Sequence, residues 1–587
     1  MRTKSLAPAT ALAVGLATVA VVGGSLSPAS AWQDTSSEVT GSSSSSGSGA
    51  GSGSGSGSAS GHGGSGSSGS GSSSGTGSGG SSSGSGHGPQ GDTVGSTDWG
   101  DVAPGEAADA QGAHGWAAGR DSGSLFSLEA RQGIHEAWAD GATGKNITVA
   151  VIDTGIAPVD GVDRLGKQLV NGPDLSFDPQ VGLPAYVDAF GHGTHLAGII
   201  AGRDDDWDRK QPDPSQFAGV APEAQLLNVK VGASDGGADV SQVIAALDWV
   251  TQHRKDNNLN VRVISLAYGT ESVQPWQVDP LAHAVESAWE AGIVVVAAAG
   301  NDGLAAPSLL MPALDPRIIA VGASDQLGTD TLADDVVADF SNGGSAVRRP
   351  DVVAPGRSLV SLRVPGSYVD TLHSEGRVQG DESGRFFRGS GTSQATAFVA
   401  GEVALLLDQR PQLTPDQVKA ILVGTARPLA SGQVEQGAGM TDLGAALAAP
   451  APRPQDLPTY APATGSGSLE LARGGAHVVD PDTGVALTGE KDILGGTWDP
   501  LAWAAASSAG TSWTAGAWNG HTWTGDHFKR SVWAFVPWTD PSWTGAPWAS
   551  YRQGDTQWVA RSWRTDSWEA RSWRAELWRA RSWRSTT

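Results

Sequence analysis

Residues 146–155 carry a nearly unbroken apolar run that ends in an aspartate and a glycine. Such a run, bounded by glycine, is the pattern of a strand buried on both faces. The pattern returns at 224–231, 261–266 and 293–298, and between these runs the apolar positions fall at helical spacing over 239–253 and 280–291. Asp279 before Pro280, and Thr414 before Pro415 with Gln417 following, are helix starts, the second of capping-box type. A further helix is expected at 128–138, leading into the first strand. Small residues at 389–397, followed by apolar ones to 407, predict a tight turn feeding a buried helix. The alternation specifies an α/β fold, a parallel sheet with helices on both faces. Sites in such sheets lie at the carboxyl ends of the strands, where Asp153 and Asn301 fall.

The turn before the helix at 389–407 places Ser393 at a helix start, where unpaired N–H groups and the positive end of the dipole favour an anion. A serine hydroxyl is a weak nucleophile, so it needs a base and a carboxylate to hold that base. Asp153 ends the first apolar run, and His192 stands between two glycines at the mouth of another. The chain order Asp, His, Ser is one of three known for such triads.

Around these residues, Asp153-Thr-Gly155, His192-Gly-Thr-His195 and Gly391-Thr-Ser-Gln-Ala395 resemble the motifs of the subtilisin-like serine proteases. The run 293–301 is similar to that family's strand ending in a side-chain oxyanion donor, which implies that role for Asn301. The resemblance spans about 121 to 449, with Phe340-Ser-Asn342, Val353-Ala-Pro-Gly356 and Gly437-Ala-Gly-Met-Thr-Asp442 as further matches. It implies an endopeptidase acting through an acyl-enzyme, with Asp153, His192 and Ser393 catalytic. It also implies that Ser265, Leu266 and Ala267 line the substrate site. Ala267 stands where the family usually has Gly, so specificity is not carried over; Gln394 and Ala397 replace the usual Met and Pro, at positions that neither make nor break a proton transfer. His195 is expected to be structural. No cofactor is needed for the chemistry; the acidic run Asp204-Asp-Asp-Trp-Asp208 suits a structural calcium.

Composition divides the rest of the 587 residues. Arg2 and Lys4, an apolar stretch to about residue 24 and Ala29-Ser-Ala31 read as a signal peptide at 1–31, and so as a secreted protein. Residues 32–120 are a low-complexity segment, Gly and Ser almost throughout 41–88, a composition that cannot bury apolar area and reads as disordered. The catalytic domain is expected at 121–449 and a Pro-rich linker at 450–496. From Trp498 to Trp583 tryptophan recurs at every fifth position, with Ser508, Phe528 and Gln553 as exceptions, in a tail at 497–587. A period of five fits neither one helix face nor one strand face. Eight Arg against four carboxylates between Arg552 and Arg584 add cations to the indoles, which suggests a cell-wall polymer as partner. A formal net charge of −23 argues against nucleic acid as a partner, and the resemblance implies polypeptide as substrate. The competing reading is a catalytically inactive surface-binding protein that works through the Trp repeat.

Overall fold

The computed structural model describes residues 115–523 except 163–166, 182, 476 and 480–484, together with the strand segments Ala549–Gln553 and Thr556–Trp558. The expected signal peptide, most of the Gly/Ser segment and most of the repeat beyond Trp523 lie outside the described residues. Six strands run parallel in the spatial order β2-β3-β1-β4-β5-β6. They are β1 (Thr148–Asp153), β2 (Leu169–Asp174), β3 (Gln225–Lys230), β4 (Val261–Leu266), β5 (Val294–Ala298) and β6 (Ile319–Asp325). Beyond them β7 (Val336–Val337) pairs antiparallel with β6, and β8 (Val352–Pro355) parallel with it. All six side chains of β1 are buried although they alternate between faces, so both faces of the sheet are covered.

The helix expected at 128–138 is two helices, α1 (Leu125–Arg131) and α2 (Ile134–Ala139), because Gly133 takes φ 73° between them. The others that position the site are α3 (His192–Ala201), α4 (Val240–His253), α5 (Pro280–Glu290), α6 (Thr392–Gln409) and α7 (Pro415–Thr425). Both expected helix starts are formed: Asp279 accepts the N–H groups of Leu281 and Ala282, and Thr414 exchanges capping bonds with Gln417. Every residue of α6 from Thr392 to Leu407 is buried, against β4, β5, β6 and α3. That is why its sequence shows small and apolar residues all round rather than one apolar stripe.

Beyond residue 449 the chain packs back onto α4. The stretch expected as a linker carries α8 (Leu469–Arg473), whose fully buried Arg473 pairs with Asp239, the N-cap of α4, at 2.6 Å. Next come α9 (Pro500–Ser508) and a small meander of Trp513–Thr514, Ala517–Trp518 and His521–Thr522. Trp498, Trp503, Trp513, Trp518 and Trp523 are all buried in the main core. Asp248 of α4 gathers them: its Oδ2 accepts the indole N–H of Trp503 and of Trp518, both at 2.9 Å, and its Oδ1 accepts Ser507 Oγ–H at 2.6 Å. Trp513 donates to Ala245 O at 2.8 Å. No helix among the described residues is long and apolar enough to cross a membrane.

Candidate active site

Asp153 closes β1, and Gly155 at φ 107° turns the chain away. His192 opens α3, entered through Gly191 at φ 114°. Strand and helix meet because residue 193 is glycine: a Cβ there would lie 2.1 Å from Gly155 O. The result is a contact of 2.7 Å between His192 Nδ1 and Asp153 Oδ1, both buried. The backbone N–H of Thr154 donates to the same oxygen at 2.8 Å; in the ionised form of Asp153 that oxygen can only accept, and Nδ1 is then the donor. Nε2 is then the bare nitrogen, the form a general base requires. Burial holds the imidazole well below its ordinary pKa, with Asp188 opposing. Burial also pushes the Asp153 carboxyl up to about 8, against the hydrogen bonds of Thr154 and the charge of Lys230.

Three residues that the motifs leave without a role hold this pair. Asp188, wholly buried, accepts the N–H groups of Phe190, Gly191 and Thr194 at 3.1, 2.6 and 2.8 Å and the hydroxyls of Thr154 and Thr194 at 2.9 and 2.8 Å. It thereby fixes the turn that delivers His192. Thr154 Oγ1 also accepts Gly193 N–H at 2.9 Å, tying strand end to helix start. Lys230, buried at the end of β3, donates to Thr154 O at 2.6 Å and pairs with Asp178 at 2.9 Å. The only sequence signal for them is position: Thr154 inside the Asp153 motif, Asp188 four residues before His192, and Lys230 at the end of an apolar run.

Ser393 is the second residue of α6, whose N-cap, Gly391, has no side chain to cap it. Asn301 follows β5, and its Oδ1 accepts both the N–H and the hydroxyl of Thr392 at 2.8 Å. A backbone N–H can only donate, so the atom facing it is the oxygen and the amide nitrogen faces the other way. The point a Cβ would occupy on Gly391 lies 3.5 Å from Asn301 Nδ2 and 3.6 Å from Ser393 N, so two donors border one spot. Gln394 Oε1 lies 2.9 Å from the same point. Ser393 Oγ is buried and makes no hydrogen bond among the described residues. The fold therefore brings Asp153 to His192 and Asn301 to the Ser393 backbone, and packs α3 against α6, without a hydrogen bond from the serine hydroxyl to the imidazole.

Ser265 and Leu266 end β4 and are paired with β5, and Ser265 with β1 as well; Ala267 lies just past the strand, and all three are buried. His195 is buried within α3. Asp204, first of the acids expected to suit calcium, is taken up by Arg385 at 2.6 Å and by Phe217 N–H at 2.8 Å. Among the described residues no three His, Asp or Glu group as they would around a metal ion.

A profile of the subtilase family matches residues 144–441. Serine protease AprX of Bacillus subtilis is 39% identical over 289 residues, which cover 48% of this chain and 61% of that protein. Subtilisin BL of Lederbergia lenta is 34% identical over 306 residues, 52% of this chain and 92% of the relative. Among solved structures, fervidolysin from Fervidobacterium pennivorans, a keratinolytic enzyme related to subtilisin, aligns at TM-score 0.43 and 27% identity, over 56% of this chain and 46% of its own. The chain thus spans about three fifths of AprX and nearly all of subtilisin BL. With half of its length matched by the family profile, and with the mostly parallel sheet already described, this chain belongs to the subtilase family, that of the subtilisin-like serine proteases.

Proposed function

We propose that the protein is an exported serine endopeptidase that cleaves extended polypeptides on an Asp153–His192–Ser393 triad. Ser393 Oγ attacks the scissile carbonyl as His192 Nε2 takes its proton, Asp153 holds the imidazole, and the oxyanion is received by Asn301 Nδ2 and the Ser393 N–H. The leaving amine collects the proton from His192, and water then repeats the sequence on the acyl-enzyme. The observation that carries this reading is the 2.7 Å contact from Nδ1 to an aspartate oxygen already bearing a backbone N–H, which leaves Nε2 as the base. The peptide backbone would run past Ser265, Leu266 and Ala267, where β4 ends. A serine-reactive fluorophosphonate probe and unfolded casein test the proposal. Labelling and proteolysis by the parent but not by Ser393→Ala are expected; a folded parent that stays unlabelled overturns the triad and favours the inactive binding protein.

Export rests on the apolar stretch that follows Arg2 and Lys4 and ends at Ala29-Ser-Ala31. Sequencing the amino end of the exported chain tests it, with Trp32 expected first. Attachment to a wall polymer draws no surface from the five repeat tryptophans Trp498 to Trp523, all buried, and is proposed only for the Arg-rich repeat beyond Trp523. Failure of the intact protein to sediment with wall preparations removes it.

A further inference from the structure

A cavity of about 840 Å³ opens beside α1, between the segment entering at Trp116 and the loop that follows α3. None of the residues assigned above to the triad, the oxyanion site or the substrate strand lines it. Its walls are aromatic: Trp116, Phe126, Trp138, Trp207, Phe217 and Phe386. Trp138 and Trp207 meet edge to face at 5.3 Å, and Phe386 lies 5.2 Å from Trp116 and 5.4 Å from Phe217. A volume of this order suits an organic molecule of some twenty heavy atoms.

Two polar side chains reach this apolar space unsatisfied. Glu129 of α1, 1% exposed, lines the cavity, and its Oε1 has no hydrogen-bond partner among the described residues, where the one ionic neighbour of its carboxyl is His135 Nε2 at 3.7 Å, too far for a hydrogen bond. Trp207 Nε1, also buried, is likewise without a partner. A carboxyl sealed among aromatic rings is costly to the fold unless something donates to it. Burial alone holds Glu129 well above the usual carboxylate range, a cost that a cationic partner would remove. Asp213, Asp381 and Glu382 outnumber Arg120 and Arg385 around the rest of the cavity, so its field also favours a cation.

We propose that this cavity is a second binding site, separate from the peptidase centre, for a small organic ammonium with an aromatic or aliphatic body. The ammonium donates to Glu129 Oε1, and the body lies among the rings, whose faces attract cations. A quaternary ammonium has no N–H to give the stranded oxygen, and a neutral alcohol has no charge, so primary and secondary amines are favoured.

The probe is 2-phenylethylamine, titrated by calorimetry into the full chain carrying Ser393→Ala so that self-digestion is absent. We expect saturable binding of one molecule, at least tenfold tighter than 2-phenylethanol, together with a rise in Tm. Glu129→Gln, which keeps shape and removes charge, is expected to weaken the amine at least tenfold and the alcohol less than twofold. In the otherwise native chain it should leave fluorophosphonate labelling of Ser393 unchanged. Trp207→Leu supplies a second variant, on a half-buried residue, that removes an aromatic face from the cavity wall and should weaken both probes. Absence of saturable binding up to 10 mM overturns the proposal. So does equal amine affinity in Glu129→Gln and its parent, which would place the amine elsewhere, as in the substrate cleft.

Discussion

At the scale of single residues, the pair Asp153 and His192 is only as well placed as Asp188 makes it. Asp188→Ala strands the buried N–H groups of Phe190, Gly191 and Thr194, and is expected to cost about 3 to 5 kcal/mol in urea unfolding, together with at least a tenfold loss of casein turnover. Turnover at the parental level would show that the turn into α3 holds without it. A second buried acid acts on stability alone. Glu402, inside α6, has Thr441 as its polar neighbour, and burial pushes its carboxyl up to about 8 from an ordinary 4.5. Between those values the folded chain keeps a proton that the unfolded chain has lost, so stability falls as pH rises, at most by about 1.4 kcal/mol per pH unit. The penalty is absent below the unfolded value and complete above the folded one. Glu402→Gln should flatten the dependence of the urea midpoint between pH 5 and 8, and equal slopes in the two proteins would refute the assignment.

At the scale of elements, α3 and β1 approach as closely as they do because Gly193 has no side chain. Gly193→Ala sets a Cβ 2.1 Å from Gly155 O and 3.1 Å from Asp153 Oδ1. Displacing His192 by about 1 Å is expected to lower kcat/KM by about two powers of ten with the fold retained, as circular dichroism would record. The motifs that carry Asp153, His192, Asn301 and Ser393 were legible because each sits at a strand or helix end that apolar runs and glycines mark. Asp188 and Lys230 were not, since nothing local distinguishes an acid or a lysine that tertiary packing later buries. The helix at 128–138 was misjudged as one piece because apolar spacing continues across Gly133 while the backbone does not. From Trp498 to Trp523 the five-residue period lies on neither a single helix nor a single strand. Trp503 projects from α9 and Trp513 and Trp518 from paired strands, and what unites them is α4, about 250 residues earlier and invisible to any local pattern: Asp248 accepts from Trp503 and Trp518, and Ala245 O from Trp513. Asp248→Ala leaves two indole N–H groups and a hydroxyl without an acceptor. The expected loss is at least about 3 kcal/mol, with a red-shifted tryptophan emission; an unshifted spectrum would mean that the meander stays docked.

For the molecule as a whole, the profile match ends at 441, yet the core continues through Trp523. A chain ended at residue 449 is therefore expected to bind a hydrophobic dye and to unfold at lower temperature than one ended at residue 523. Equal melting of the two would mean that α4 does not need its cover. The expectation follows from burial: each indole brings a large apolar area to α4 and α5, worth about 1.5 to 3 kcal/mol when fully covered. The docking of late tryptophans onto an early helix also sets an order in time. A ribosome releases α4 long before it has made Trp513 and Trp518, and about eighty residues separate the end of the matched region from the last indole of the cover. At about 5 to 20 residues per second, each newborn copy spends roughly 4 to 16 s with its peptidase sheet written and one flank of it still bare.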